Sequence, residues 1–383
     1  MRKDKIIVII CSLFMLLIGL QIAGFQYLTI YIAEEYEMSG SEIGLISSIQ
    51  FIPMFAVPLF FGNVLDRYSK KILSAICALC YVAGSLFIIL IHSVISLVLG
   101  IFVIAVGASV SPAMILVLLT EMMPEKSRQF SSLSEVFYSL GNVVSPLALS
   151  VLVTAGMNWR GLYYFVSGLS LAIGVILLFS RTGSTEELRQ AKDKKKFRFG
   201  ISLVLLMGYA LLYNMIEIGF MNYCSSYFTS LFNDSYGAGI SISLVGFAMV
   251  ISKLISTGFK WNKGSVIMIC SGLSACSSLL MILFPGKISS LVWCALFGLL
   301  TGPAWPTLMS YGIELYPDNP GRASTLMVLG GGIGGIIVGP LMGTVSDISG
   351  IAWSYLVPCL AAAIGAIVIF ILKISLKKGI KAE

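Results

Sequence analysis

Long apolar runs recur along almost the whole chain and constrain its fold more than any other feature. Most of them reach the about 20 residues that an α-helix needs to cross a bilayer. We read twelve spans, at residues 6–33, 43–61, 72–91, 95–119, 130–154, 161–180, 200–230, 237–258, 264–284, 288–311, 323–346 and 351–373. Hydrophobic residues make up 57% of the 383 residues and charged residues 11%, against about 45–50% and about 25% in soluble domains. The sequence therefore predicts an all-α integral membrane protein. Because the runs do not alternate between polar and apolar residues, a transmembrane barrel is excluded.

The positive charges indicate how the spans are oriented. If the N-terminus is cytoplasmic, Arg160 and Lys287 fall in outer loops and Lys253 falls inside a span, which leaves 22 of the 25 Lys and Arg residues on cytoplasmic segments. Such an excess orients membrane helices. We therefore expect both termini in the cytoplasm and a multi-pass protein of the inner or plasma membrane. The net charge of +7 then reflects topology, and nucleic-acid binding is not indicated.

The sequence contains no pattern that indicates catalysis, a metal or a cofactor. All eight cysteines lie in spans, the Cys77-Ala-Leu-Cys80 spacing has no second pair, and His92 is the single histidine. We interpret the cysteines as small packing residues. The absence of a nucleotide-binding loop excludes self-contained ATP drive. We expect no cofactor and no enzymatic activity, and a polytopic membrane enzyme is kept only as a remote alternative.

The two halves of the chain resemble each other at an offset of about 194 residues. The matching segments are Glu121-Met-Met-Pro124 with Glu314-Leu-Tyr-Pro317, Gly141-to-Leu147 with Gly335-to-Leu341, Pro112 with Pro306, and Trp159 with Trp353. A polar, basic stretch at 181–199 separates the copies, so we predict a six-helix bundle at 1–180, a cytoplasmic linker at 181–199 and a second bundle with a basic tail at 200–383. Both copies start on the same side, which makes the repeat parallel. Two such bundles are expected to enclose the central cavity of an alternating-access carrier.

The loop between the second and third spans resembles a known family signature. It reads Gly62-Asn-Val-Leu-Asp66-Arg67-Tyr-Ser-Lys70-Lys71, which is similar to the pattern G-x-L-A-D-R-x-G-R-K of the major facilitator superfamily. The resemblance covers essentially the whole chain and implies a monomeric secondary transporter. It also implies that Asp66 and Arg67 close the inner surface, with Asp66 accepting from the helix that begins near Arg322 and Arg67 reaching Glu121 or another acid of the inner loops. Ordinary positive loop residues are the alternative.

Three further segments resemble the sugar-permease branch that includes fucose permeases. They are Tyr213-Asn-Met-Ile-Glu217-Ile-Gly, Gly302-Pro-Ala-Trp-Pro306-Thr-Leu, and Gly331-to-Gly343 followed by Asp347. The chain departs from that branch in its first span, where Gln21 and Gln26 replace the acid, and in its fourth span, which lacks one. The resemblance implies proton-coupled symport of a small polar solute, with fucose itself disfavoured.

Three ionisable residues lie well inside predicted spans, namely Glu135, Glu217 and Lys253. A charge at mid-span costs about 2.5–3.5 kcal/mol on insertion scales, so each is expected to face a cavity or a partner. Counted from the inner helix ends, Glu135 and Lys253 match in depth, whereas Glu217 and Lys253 differ by about 15 Å. We therefore predict that Glu135 and Lys253 form a gate between the bundles. The alternative is that Lys253 extends to the inner surface and Glu135 meets water.

The sequence proposes Glu217, with Glu135 as a second candidate, as the acid that binds a proton or the substrate. A carboxylate in a partly dry cavity can titrate near physiological pH, although a structural acid hydrogen-bonded within its half is the alternative. Other polar or aromatic residues are candidates for lining the cavity or for joining helices. These are Gln21, Gln26, Tyr138, Asn142, Tyr213, Asn214 and Trp305.

Glycines recur every fourth residue in the eleventh span. Gly331, Gly335, Gly339 and Gly343 leave one helix face without side chains, which permits close helix packing, and Pro340 is a candidate bend. A surface that slides during transport is the alternative interpretation. Together the patterns predict a carrier for a sugar or related metabolite, with the bilayer, the solute and protons as partners. Proton-coupled efflux of amphiphilic compounds is the alternative function.

Overall fold

The computed structural model describes residues 2–65, 69–122, 127–179, 200–257, 262–317 and 319–377. In these ranges twelve helices are long and apolar enough to cross a membrane, which confirms the predicted number of spans and the all-helical class. Asp66, Arg67 and the linker at 181–199 lie outside the described residues, so the predictions made for them stay predictions.

The twelve spans are built from fifteen helical segments in the described part of the chain. They are α1 (Arg2–Glu35), α2 (Gly40–Ile49), α3 (Phe51–Leu65), α4 (Lys70–Leu90), α5 (Val94–Met122), α6 (Ser127–Thr154), α7 (Gly161–Phe179), α8 (Ile201–Phe232), α9 (Ser235–Thr257), α10 (Lys263–Leu283), α11 (Lys287–Thr301), α12 (Ala304–Leu315), α13 (Pro320–Ser349), α14 (Ile351–Ser354) and α15 (Leu356–Lys377).

Prolines explain why some predicted spans are interrupted. The predicted tenth span, 288–311, is two helices, because α11 ends at Thr301 and α12 begins at Ala304. Pro303 and Pro306 have no backbone N–H to donate, so the helical hydrogen-bond ladder cannot run through this segment. On either side of the break, the Thr301 hydroxyl donates to the carbonyl oxygen of Phe297 and the Thr307 hydroxyl donates to that of Pro303. The break therefore lies immediately before Trp305.

The chain divides into two compact units. The first contains Met1–Leu28 and Ile49–Gln190, and the second contains Thr29–Ser48 and Ala191–Glu383. The segment Thr29–Ser48 comes from the first half of the sequence but belongs to the second unit. The division into bundles at 1–180 and 200–383 with a linker at 181–199 stays a prediction.

Helices α1 and α6 approach each other very closely within the first unit. A Cβ added to Gly19 would lie 3.1 Å from the backbone nitrogen of Asn142, and one added to Gly141 would lie 2.7 Å from that of Leu20. The Ser145 hydroxyl donates to the carbonyl oxygen of Leu20 at 2.7 Å. Glycine is therefore required on both helices, since any side chain at these positions would separate their backbones.

Arg160 packs against the end of α4 in the first unit. Although the sequence places it in an outer loop, its side chain is buried, its guanidinium lies 4.2 Å from the ring centroid of Trp159, and its Nε donates to the carbonyl oxygen of Ile88 at 3.2 Å. That carbonyl belongs to the last turn of α4, where helical carbonyls lack intrahelical partners. Arg160 thus caps α4 with a positive charge, which also suits the negative end of the helix dipole.

Helices α8 and α13 form the closest contact of the second unit's core. A Cβ added to Gly330 would lie 2.5 Å from the carbonyl oxygen of Met207, and one added to Gly334 would lie 2.8 Å from the carbonyl carbon of Leu211 and closer still to its oxygen. One glycine face of α13 therefore lies directly on the backbone of α8.

Candidate functional site

Tyr213, Asn214 and Glu217 occupy one turn of α8 near its middle. Residues three and four apart share a helix face, so Glu217 has both Asn214 and Tyr213 as neighbours. Tyr213 is 1% exposed and Asn214 is 5% exposed, and Glu217 is partly accessible although protein surrounds it densely. The Tyr213 hydroxyl makes no hydrogen bond of ordinary geometry with the described residues, yet it lies near enough to Glu217 for the two to interact. These three residues therefore form a polar cluster in the otherwise largely apolar interior of the second unit.

An aromatic surface lies beside the polar turn. The rings of Tyr213 and Trp305 stack with their centroids 5.4 Å apart and their planes inclined by 30°. Tyr209, one turn earlier on α8, contacts Tyr213 at 6.5 Å and shares a 2.7 Å hydrogen bond with Ser271 of α10. The helix break at Pro303 positions Trp305 for this stacking.

Gly331 of α13 completes the same region. A Cβ at this position would lie 2.8 Å from the Nδ2 atom of Asn214 and 3.4 Å from Trp305. Because real Cβ atoms do not approach heavy atoms to 2.8 Å, the absence of a side chain at Gly331 is what leaves room for the Asn214 amide. Gly331 therefore borders the site, whereas its neighbours Gly330 and Gly334 contact the α8 backbone.

Lys253 of α9 lies close enough to Glu217 for their charges to interact, although counting from the inner helix ends placed the two about 15 Å apart in depth. The roles predicted for both residues stay predictions. Helices α8 and α9 are joined by a tight outer turn, but α8 has 32 residues and α9 has 23. Their inner ends therefore do not lie at one height. Counted from the shared outer turn, Glu217 and Lys253 differ in depth by only about 5 Å.

The candidate residues of the first unit lie on α1 and α6. Gln21 and Gln26 are buried, Tyr138 and Asn142 are partly exposed, and the carbonyl oxygen of Tyr138 lies against Gly19. In the described part of the chain, the buried side-chain oxygen of Asn142 has no hydrogen-bond partner.

The Glu135 side chain lies outside the described residues. Its predicted gate with Lys253 therefore stays a prediction.

The inner loop signature is only partly described. Gly62 lies in α3 and Lys70 lies in α4. The Lys70 side chain is outside the described residues, while Lys71 is partly exposed. The second unit has its own inner ion pair, between Lys263 and Glu314 at 2.6 Å, and Lys263 also donates to the carbonyl oxygen of Ser310. The sequence carried a signal for this pair, because Lys263 and Glu314 stand where the repeat places the counterparts of the loop signature and of Glu121.

The remaining glycines of α13 lie toward its outer end. Gly339 and Gly343 contact the backbone of α2 at Gly44 and Gly40, while Gly335 is buried and Pro340 lies inside the continuous helix. Asp347, one turn beyond Gly343, accepts hydrogen bonds from the backbone of α2. Sequence reasoning quoted Asp347 only as part of a resemblance and assigned it no role. Among the described residues no group of three or more His, Cys, Asp or Glu is arranged to hold a metal ion.

Comparisons with known proteins agree with this architecture. The family model described as Major Facilitator Superfamily matches residues 9–338. A multidrug resistance protein, MdtL of Klebsiella pneumoniae (strain 342), is 23% identical over 149 residues, which are 39% of this chain and 38% of that protein. The chain thus aligns with well under two thirds of that relative.

Two solved structures have the same fold over nearly their whole length. A bacterial homolog of the human lysosomal transporter Spinster superposes with a TM-score of 0.79 at 13% identity, covering 97% of both chains. A D-xylose-proton symporter superposes with a TM-score of 0.79 at 14% identity, covering 95% of this chain and 96% of that one. At these identities the likeness concerns the fold alone.

Proposed function

Since the chain belongs to the major facilitator superfamily of membrane transporters, we propose that it is a secondary carrier that moves a small polar solute, a sugar or related metabolite, by alternating access and together with protons. The observation that carries the proposal is the polar turn of α8 at Tyr213, Asn214 and Glu217, next to the stacked ring of Trp305. The proposal follows the branch of sugar permeases that the sequence resembles.

The chemistry of this turn suits a hydroxylated ring. The Asn214 amide both donates and accepts, the Tyr213 hydroxyl does the same, and an ionised Glu217 accepts from adjacent hydroxyl groups. A flat aromatic ring such as Trp305 offers an apolar surface to the C–H face of a sugar, and ligand sites commonly combine such surfaces with a few convergent polar groups. Buried polar groups also favour the correct solute strongly, because a solute that lacks the matching group leaves them unpaired.

Glu217 is the proposed coupling residue. Burial disfavours a charged carboxylate, whereas the nearby Lys253 ammonium and the Tyr213 hydroxyl favour it. With these effects opposed, a solute that replaces water beside Glu217 changes the balance between the neutral and the charged form. Uptake of a proton and of the solute would then be linked at one residue, which is a common role for acids within membrane spans.

Proton flux in proteoliposomes tests this proposal. The purified carrier, in liposomes that contain a pH-sensitive dye, is presented with a panel of hexoses, pentoses, nucleosides and amino acids under an imposed proton gradient. We expect one class of solute to evoke inward proton movement, and we expect Glu217→Gln to abolish gradient-driven accumulation while retaining exchange of labelled solute across the membrane.

Glu314→Gln is the matched control, because it makes the same change at the exposed Glu314 of the inner ion pair. Accumulation that survives Glu217→Gln at the wild-type level would remove Glu217 from coupling. Solute transport without any proton movement would refute proton symport and leave sodium-driven or facilitated transport.

A second candidate function is proton-coupled efflux of amphiphilic compounds. It is favoured by the alignment with the multidrug resistance protein and by the aromatic rings of Tyr209, Tyr213 and Trp305 in one region. In the same liposomes, efflux predicts that cationic drugs, and not sugars, evoke proton movement in the opposite direction to the drug.

The predicted gate gives Lys253 a second partner in the transport cycle. We propose that Lys253 interacts with Glu217 in one state and with Glu135 in the other. Cysteines introduced at 135 and 253 should crosslink in a manner that depends on added solute, and a crosslink that is absent in every condition would eliminate the gate.

A further inference from the structure

Two pairs of residues fix how α8 and α11 face each other in the second unit. The rings of Phe220 and Phe297 stack with their centroids 3.7 Å apart, and the Ser290 hydroxyl donates to the Tyr227 hydroxyl at 3.2 Å. From the first pair to the second, the chain advances by seven residues on α8 and goes back by seven residues on α11. The two helices therefore run antiparallel, and the residues midway between these pairs must face each other as well.

Two cysteines occupy that midpoint. Cys224 lies about one helical turn after Phe220, and Cys294 lies about one turn before Phe297. Both cysteines are fully buried, and their thiols lie close enough to share a hydrogen bond. Cys224 also donates to the carbonyl oxygen of Phe220 at 3.3 Å. The fold thus brings together two thiols that stand far apart in the sequence, so no local spacing could have indicated the pair.

Aromatic side chains enclose the two thiols. The Tyr355 hydroxyl lies 3.5 Å from the Sγ atom of Cys224 and 3.3 Å from the carbonyl oxygen of Phe220. The Tyr355 ring contacts the rings of Phe220 and Tyr227, with centroids 4.9 Å and 5.3 Å away. All three rings are fully buried. The sulfur atoms therefore lie in an apolar pocket in which one hydroxyl group is within reach.

The donor atoms determine which ligand this pocket suits. Thiolate ligands select soft metal ions. Zinc usually takes four protein ligands in a closed site, and among the described residues no group of three or more His, Cys, Asp or Glu is arranged around one point. A mercuric ion, in contrast, binds two thiolates in a line and needs no further ligand. Because each thiol loses its proton on binding, two thiolates and one divalent ion form a neutral unit, which avoids the cost of a buried charge.

We propose that Cys224 and Cys294 form a two-coordinate site for a soft metal ion, with Hg(II) as the ion whose charge and geometry match it. On binding, two S–H bonds break and two S–Hg bonds form, both protons leave to water, and no oxidation state changes. The bound ion would connect α8 to α11. For these two cysteines the proposal goes beyond the packing role that the sequence indicated, and it depends neither on a transported solute nor on proton coupling.

Retention of mercury against a competing thiol tests the proposal. The purified full-length protein receives one equivalent of mercuric chloride and is dialysed against a millimolar monothiol, and elemental mass spectrometry measures the mercury that stays with the protein. Two thiols held together on one protein act at a high effective concentration, so the wild type should keep about one ion per chain. Cys224→Ala and Cys294→Ala should each shorten the half-time of mercury loss by at least about tenfold, because each leaves a single thiol.

Two controls separate the pair from other thiols and other metals. Cys276→Ala makes the same change at an exposed cysteine of α10 and should leave the half-time of mercury loss within about twofold of wild type, since it does not alter the pair. Zn(II) in place of Hg(II) should not be retained. If a cysteine variant fails to fold, the melting temperature of the wild type decides the question, because an ion that binds the folded state stabilises it. Hg(II) should then raise the melting temperature and Zn(II) should not.

Two results would overturn the proposal. In the first, the wild type loses mercury as fast as the two alanine variants, or all three retain it equally, and the thiols of Cys224 and Cys294 then do not act together. In the second, Zn(II) is retained as firmly as Hg(II), and the site is then not two-coordinate. The assay needs neither solute nor proton gradient, so its failure is distinguishable from a failure of Glu217 to couple protons.

Discussion

The contact of Gly334 with α8 leads to a prediction of stability that involves no functional assignment. In Gly334→Ala the new Cβ would lie 2.8 Å from the carbonyl carbon of Leu211, against at least 3.4 Å for an ordinary contact. The obstacle is backbone, so no side-chain rotation relieves the clash. Helices α8 and α13 would have to separate by at least about 0.6 Å, which loosens every contact between them.

Gly208→Ala provides the reference for the size of the effect. Both changes replace a glycine within a helix by alanine and share the gain in helix propensity of about 0.5–1 kcal/mol. The gain therefore cancels in the comparison, because a Cβ at Gly208 meets nothing within 4 Å. Overpacking of a well-packed interior costs about 1–3 kcal/mol, so we expect Gly334→Ala to be less stable than Gly208→Ala by that amount.

Thermal unfolding in mild detergent, followed by size-exclusion chromatography of the surviving protein, measures the difference. Gly331→Ala completes the series, since its Cβ meets the Asn214 side chain and Trp305 rather than backbone. Gly331→Ala should have a melting temperature close to that of Gly208→Ala but should impair transport. Equal melting temperatures of Gly334→Ala and Gly208→Ala would refute the close backbone packing on which the reasoning depends.

Three further predictions concern the site and the outer surface. Trp305→Ala should raise the half-saturating solute concentration about three- to tenfold, the size of an aromatic contact, whereas Trp293→Ala, on α11 away from the stack, should not. Lys253→Gln should change the pH dependence of transport because Lys253 acts on Glu217, whereas Lys263→Gln at the inner surface should leave it unchanged. At the outer turn, partial burial raises the pKa of Asp234, but the Lys287 ammonium 2.8 Å away and the Gly237 amide outweigh burial and hold this pKa below its usual 3.8. The ionised Asp234 therefore stabilises the folded protein fully well above pH 3.8, and this stabilisation is lost as the pH falls through the lower pKa of the folded state. Lys287→Met removes the ion pair, which is worth at most about 1 kcal/mol. The difference in Tm between wild type and Lys287→Met should therefore disappear on acidification.

Hydropathy was sufficient to predict the number of spans, because a bilayer requires each helix to be apolar over its whole length. It could not predict where a span is broken without loss of apolar character. The break between α11 and α12 leaves the segment apolar, and only the backbone chemistry of Pro303 and Pro306 interrupts it. That break determines where Trp305 lies, so the position of a candidate site residue depended on a local feature that hydropathy does not register.

The pairing of Lys253 shows a different limit of sequence reasoning. The rise per residue was correct, but the inner helix ends were taken as a common reference height. The outer turn at Asn233 and Asp234 is the true reference, because it joins α8 and α9 directly, whereas α8 exceeds α9 by nine residues at the inner side. Depth along helices can therefore be compared from sequence only across a short connection.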